Sequence, residues 1–211
     1  IEVVLDDIGT DCVKTGMLYR VEILEVVADV LAAKAVGVPL VVDPVMVAKG
    51  GARLLQDDTI DTLRRRLLPL ASVLTPNIPE AEILAEMAIR DAGEMERAGA
   101  KLMAEGPGAV LMKGGHMAGD VVRDVLISEA GSEAFESPRI ETPHTHGTGC
   151  TLASGIATGL AQGLALRDAV ARARDYVLEA IRTAPGYGSG HGPLNHGHTV
   201  APFPPAPAST R

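Results

Sequence analysis

Runs of apolar residues of strand length recur along the chain at 38–42, 72–75 and 109–112, with a weaker one at 12–15. Between them apolar residues return every three or four positions. Leu24, Val27, Val30 and Leu31 share one helical face, and further helical patterns cover 57–67, 78–90 and 91–105. Strands alternating with helices predict an α/β fold whose mainly parallel sheet is covered on both faces. Residues 121–128 and 133–137 flank Glu129-Ala130-Gly131-Ser132 and predict a hairpin at the edge of that sheet. Two helices are expected after it, at 148–163 and 166–184. The opening Ile1-Glu2-Val3-Val4-Leu5 reads as strand, so the chain is expected to begin inside a domain. The pattern ends near Val200. Residues 201–211 contain four prolines and too little apolar surface to bury, which predicts a flexible tail after one domain over 1–200.

Composition narrows the class. With 211 residues, 46% hydrophobic and 22% charged, the chain can build a core, and 2% aromatic residues make that core aliphatic. A net charge of −8, with no basic run longer than Arg64-Arg65-Arg66, argues against a nucleic-acid partner. Cys12 and Cys150 are too few for a disulfide framework and lack metal-ligand spacing, so a reducing cytoplasm suits them. The uncharged stretch 147–166 invites a membrane reading, but its five glycines and its Thr, Ser and Gln residues make it too polar to span. The Gly155, Gly159 and Gly163 spacing predicts a soluble helix packed closely on a sheet.

In an open parallel sheet, ligands bind at the carboxyl ends of the strands, so the residues just after each apolar run are the informative ones. The runs deliver Asp43-Pro44-Val45-Met46, Pro76-Asn77-Ile78-Pro79-Glu80 and Lys113-Gly114-Gly115-His116, and the hairpin is followed by Thr145-His146-Gly147-Thr148-Gly149-Cys150. An Asp, an Asn/Glu pair, a Lys and a Gly-rich helix start are thereby predicted on one rim. Gly147, Thr148 and Gly149 open a helix, where free N–H groups and the positive dipole end attract an anion. Taken alone the same segment is a loop and N-cap with Cys150 as a small core residue. Asn77 with Glu80 three residues on is equally a capping box, or a pair holding water and Mg²⁺. Lys113 is either a solvated strand end or an ammonium for a transferring phosphoryl group, and Asp43 either a turn residue or an acid facing a metal. His191, His196 and His198 lie in a Gly-rich loop ill suited to a zinc geometry.

Together these segments resemble the hydroxymethylpyrimidine/phosphomethylpyrimidine kinases of thiamine biosynthesis, a branch of the ribokinase-like family. The resemblance runs from about Val3 to His198. It rests on Lys14-Thr15-Gly16-Met17-Leu18, Asp43-Pro44-Val45-Met46, Thr75-Pro76-Asn77 with Glu80, Met112-Lys113-Gly114-Gly115-His116, the Thr145–Cys150 segment and Gly192-Pro193-Leu194-Asn195-His196. It implies a three-layer α/β/α sandwich and Mg²⁺-dependent transfer of the ATP γ-phosphoryl to 4-amino-5-hydroxymethyl-2-methylpyrimidine and then to its monophosphate. It further implies that Gly147, Thr148, Gly149 and Cys150 form the anion hole, with Cys150 where most ribokinase-like enzymes carry an Asp base. By the same resemblance Lys113 contacts phosphate, Asn77 and Glu80 serve nucleotide and metal, Asp43 joins the metal site, and Met17 and Val45 line the pyrimidine pocket. Homodimers are common among such relatives. The family's first strand, glycine-rich substrate loop, pyrimidine-pairing residue and lid all precede the segment that matches Ile1, so a truncated domain is expected. A pyridoxal kinase with the same Cys-ended turn, or a catalytically idle pyrimidine-phosphate-binding domain, are the competing readings.

Overall fold

The structure, a computed structural model, describes residues 1–46 and 54–200. The expected tail at 201–211 lies outside them. Six strands form one sheet in sequential order: β1 (Val13–Thr15), β2 (Leu40–Val42), β3 (Val73–Leu74), β4 (Ala109–Met112), β5 (Val121–Ser128) and β6 (Gly131–Pro138). β1 to β4 run parallel, while β5 and β6 are antiparallel, so the mainly parallel sheet with an edge hairpin is as the pattern predicts.

Neighbouring residues of each strand point to opposite faces, and the core divides accordingly. Leu40, Val42, Leu74, Val110 and Met112 pack with α2 (Val21–Lys34), α3 (Asp57–Thr62), α4 (Ile78–Ala85) and α5 (Ala92–Met103). Val41, Val73, Ala109 and Leu111 pack instead with α6 (Thr148–Ala161) and α7 (Leu166–Arg182). That is the three-layer α/β/α sandwich. No helix among the described residues is long and apolar enough to cross a membrane.

Several boundaries differ from expectation for identifiable reasons. Ile1 to Leu5 is not strand: the segment belongs to a short helix, α1 (Glu2–Asp7), with no buried residue. It makes no ladder and is tied to α2 by Asp6, which accepts from Lys34 Nζ at 2.6 Å. The helix expected over 78–90 stops at Ala85, because Glu86 turns left-handed (φ 50°) and Asp91 starts a new helix by accepting the Glu94 N–H at 2.8 Å. After α3 the chain continues as a π-helical turn, Leu63–Leu67, and a 3₁₀ turn, Leu68–Leu70, where Pro69 has no N–H to give. The hairpin turn is shorter than the sequence pattern suggests. Ser128 pairs with Gly131, whose φ of 112° lets the strand resume immediately.

The small residues of α6 also find a different partner. A Cβ on Gly155 would meet Ala173 Cβ at 2.9 Å, and one on Gly159 would meet Ala169 Cβ at 2.6 Å. Both neighbours lie on α7. Gly155 and Gly159 therefore bring two helices together, rather than a helix and a sheet, while Gly163 (φ 79°) lies beyond the helix end.

Candidate active site

The parallel order of β1 to β4 brings their carboxyl ends to one rim, and hydrogen bonds continue past each strand. Asp43 N–H donates to Thr15 O (3.0 Å), Thr75 N–H to Val42 O (2.9 Å) and Lys113 N–H to Pro76 O (2.9 Å). The four strand-end segments are thereby locked side by side.

Lys113 is the hub. Its Nζ lies 2.9 Å from Asp43 Oδ1 across 70 residues of sequence, with both side chains largely buried. Thr75 Oγ1 donates to the same carboxylate oxygen at 3.4 Å. A Cβ on Gly149 would lie 3.2 Å from Lys113 Nζ, so the ammonium rests directly against the Gly147–Cys150 turn. Neither the pairing nor that contact is legible from spacing.

At that turn Gly147 takes φ 86° and no side chain among the described residues caps α6. The first-turn N–H groups consequently have no intrahelical acceptor; that of Thr148 turns back to Thr145 O at 3.4 Å, and the Gly149 backbone lies beside the Lys113 cation. Thr148 Oγ1 is occupied locally, donating to Thr145 O at 2.8 Å. Cys150 is exposed rather than a core residue, which removes the packing account of it. Its side chain lines a groove of about 870 Å³ between α6 and α7, with Ser154, Thr158, Arg172, Tyr176 and His196. Cys12 differs: it is partly buried, and that burial pushes its thiol up from the ordinary value.

Asn77 and Glu80 form the reciprocal capping box, with Glu80 N–H donating to Asn77 Oδ1 (3.0 Å) and Asn77 N–H to Glu80 Oε2 (2.8 Å). Glu80 does more than cap. Its other oxygen accepts the Met46 N–H at 3.3 Å, bridging α4 to the segment after β2. At 2% exposure its carboxyl is pushed up, burial outweighing the nearby Lys113 charge. Val45 lies between Asp43 and Met46 with φ 32°, a strained conformation for a β-branched residue. Met17, in the segment after β1, is 50% exposed.

The Gly192–His196 segment also reaches this rim. His146 N–H donates to Gly192 O at 3.2 Å, and His146 bridges to Pro193. The His196 and His198 rings pack against Tyr176, and His191 Nδ1 lies 3.2 Å from Pro143 O.

Comparison with known proteins agrees with the geometry. The phosphomethylpyrimidine kinase family model matches residues 1–195. The chain is 50% identical over 197 residues to the thiamine biosynthesis bifunctional protein ThiED of Geobacter sulfurreducens, covering 93% of this chain and 40% of that protein. It is 46% identical over 194 residues to the hydroxymethylpyrimidine/phosphomethylpyrimidine kinase of Streptomyces coelicolor, covering 92% of this chain and 71% of the relative. Among solved structures, an ADP complex of Bacillus subtilis pyridoxal kinase superposes with a TM-score of 0.86 at 35% identity, over 94% of this chain and 75% of the other. Phosphomethylpyrimidine kinase from Clostridium difficile gives 0.75 at 37% identity, over 85% and 73%. The chain belongs to the phosphomethylpyrimidine kinase family.

Proposed function

We propose that this domain transfers the γ-phosphoryl group of ATP to 4-amino-5-hydroxymethyl-2-methylpyrimidine and then to its monophosphate. The observation that carries the reading is Lys113 Nζ, held by Asp43 at 2.9 Å and set against the Gly147–Cys150 turn. An ammonium and uncapped helix-start N–H groups meet there, as a transferring phosphoryl group requires.

In this mechanism Cys150, exposed at the first turn, takes the proton of the substrate hydroxyl while that oxygen attacks the γ-phosphorus. The bond to the β-phosphate oxygen breaks and its electron pair leaves with ADP. First-turn amides hold the developing charge on the equatorial oxygens, and Lys113 neutralises it. Met17 and Val45 lie on the segments after β1 and β2, where they would flank the pyrimidine.

Asp43 and Glu80 fit Mg²⁺. Both are nearly fully buried carboxylates on adjacent segments, and among the described residues Glu80 accepts two backbone N–H groups, those of Met46 and Asn77, against the roughly four acceptor sites of a carboxylate. Such an ion keeps several waters and needs only one or two carboxylates besides substrate phosphates. When bound, it would neutralise phosphate charge. Asn77 fixes Glu80 through the capping box and so sets the direction of its carboxylate.

The test is ADP release with the pyrimidine alcohol and with pyridoxal, measured side by side. Faster release with the pyrimidine is expected. Preference for pyridoxal would transfer the reading to the pyridoxal kinases, and calorimetric binding of ligand without turnover would favour an idle binding domain.

A further inference from the structure

We propose that Asp124, its charge balanced by Arg174, is a positioning residue for Lys113, fixing the ammonium through the peptide that follows it. This rests on the phosphoryl-transfer reading above. Asp124 lies within β5 between exposed Arg123 and the buried Val125-Leu126-Ile127 run and is 5% exposed, an unusual place for a charge unless it is paired. One of its oxygens accepts the Gly114 N–H at 2.7 Å, and the other accepts from Arg174 Nη1. Arg174 is held in turn by Ser137 Oγ at 3.2 Å and sits 6.0 Å from the centre of the Phe135 ring.

The geometry at Gly114 shows why the carboxylate is needed. A Cβ there would lie 1.8 Å from Arg123 O, so the β5 backbone presses directly on the residue after Lys113. The chain turns at that point into a 3₁₀ helix, Gly114–His116, leaving the sheet ladder. Without Asp124 the buried Gly114 N–H would lose its acceptor. Lys113 is thus gripped on both sides, its own N–H by Pro76 O and the next by Asp124. An apolar pair of similar volume could fill the space between β5 and α7. What it could not do is hold the peptide that aims Lys113 at Asp43 and the Gly-rich turn.

Two double variants separate holding from packing, because neither leaves a buried charge unpaired. Asp124→Asn/Arg174→Met keeps an acceptor for Gly114, whereas Asp124→Leu/Arg174→Met removes it. With MgATP and the pyrimidine alcohol, the Asn pair should stay within about threefold of wild-type kcat while the Leu pair falls about 10- to 100-fold, the effect of a small misplacement of a reacting group. KM for the alcohol should change little in either. In a Lys113→Ala background, the Leu pair should cost nothing further in kcat, as residues acting through one group are not additive. Equal kcat for the two pairs, or an additive loss with Lys113→Ala, would overturn the proposal. If the Leu pair does not fold, Asp124→Ser/Arg174→Met, too short to reach Gly114, replaces it in the comparison. A second readout needs no turnover: acetylation of Lys113 by acetic anhydride, mapped by mass spectrometry, should be faster in the pair lacking the acceptor than in the Asn pair. Equal acetylation rates also overturn the proposal. Wild-type protein that releases no ADP would refute the kinase reading, and the acetylation comparison would still decide the positioning.

Discussion

Replacing Lys113 by Met keeps the aliphatic stem and removes the charge, and its consequences divide into two measurable parts. The first is stability. Lys113 Nζ is 2.9 Å from Asp43 Oδ1, with side chains 12% and 2% exposed, so solvent screens the pair little. Removing one partner of a buried pair leaves an uncompensated charge and costs about 3–5 kcal/mol. Asp43→Asn in the same chain removes that charge, so the double variant should recover most of the loss in urea melts. The second part is catalytic. Loss of one preorganised charge or donor at a developing anion lowers kcat by about 10²- to 10³-fold, or about 2.7–4 kcal/mol. Nucleotide affinity should suffer less, because charge on the transferring group grows only as the bond to ADP breaks. The assay is steady-state ADP release beside calorimetric MgATP affinity, at a temperature where the melts show folded protein. Equal losses in ATP Kd and in kcat/KM would refute the reasoning and reduce Lys113 to uniform binding. Lys113→Arg should rescue only in part, since a planar fork does not replace a compact ammonium and Gly149 leaves little room beside Nζ.

Other expectations follow from single contacts. Glu80→Gln retains one carbonyl for the capping box but turns an amide toward the Met46 N–H, so it should cost about 1–3 kcal/mol and raise the Mg²⁺ concentration for half-maximal rate; an unchanged Mg²⁺ dependence would leave Glu80 a purely structural bridge between Asn77 and Met46. Gly159→Ala places a Cβ 2.6 Å from Ala169 Cβ and should destabilise by about 1–3 kcal/mol, lowering Tm by roughly 2–4 °C per kcal/mol; an unchanged Tm would mean that α6 and α7 separate freely. Thr15 Oγ1 is buried without a hydrogen-bond partner among the described residues, so Thr15→Val should raise Tm, by about 2–4 °C for each kcal/mol recovered. Burial raises the Cys12 thiol above its ordinary value, so its folded-state thiolate forms at higher pH than in the unfolded chain. Any contribution of the neutral thiol to stability is full below about pH 8.5 and fades as pH rises through the folded-state value. Iodoacetamide should therefore label exposed Cys150 before Cys12, and preferential labelling of Cys12 would count against the assignment of Cys150.

The features legible in the sequence were those with a period or a local chemistry. Alternating strands and helices dictate the layers, and the rule that ligands meet strand ends gathers Asp43, Asn77, Glu80, Lys113 and the Gly147–Cys150 turn on one rim. Features set by tertiary context were not legible. Ile1 to Leu5 has strand-like residues, yet without a ladder partner the segment takes helical hydrogen bonds and leaves Val3 80% exposed. The Gly155 and Gly159 spacing correctly predicted close approach, but a spacing does not say whether a helix or a sheet arrives.

Within the site, the same division explains what was missed. Lys113 is not a solvated strand end and Asp43 is more than a turn residue, because the two form a largely buried ion pair. Glu80 reads as either a cap or a metal ligand, and its geometry leaves the two compatible: it accepts the Asn77 and Met46 N–H groups and lies within electrostatic reach of Asp43 and Lys113. Asp124 did carry a signal. Asp124, next to Arg123, interrupts the apolar residues of Val121-Val122-Arg123-Asp124-Val125-Leu126-Ile127 where β-propensity disfavours it. A charge kept at such a position needs a buried partner of opposite sign and a group to hold. Arg174 is the partner, 50 residues on in α7, and the peptide after Lys113 is the group. The edge hairpin and the last helix, remote from the rim by sequence pattern, thereby reach the residue after Lys113 at the strand ends through one carboxylate.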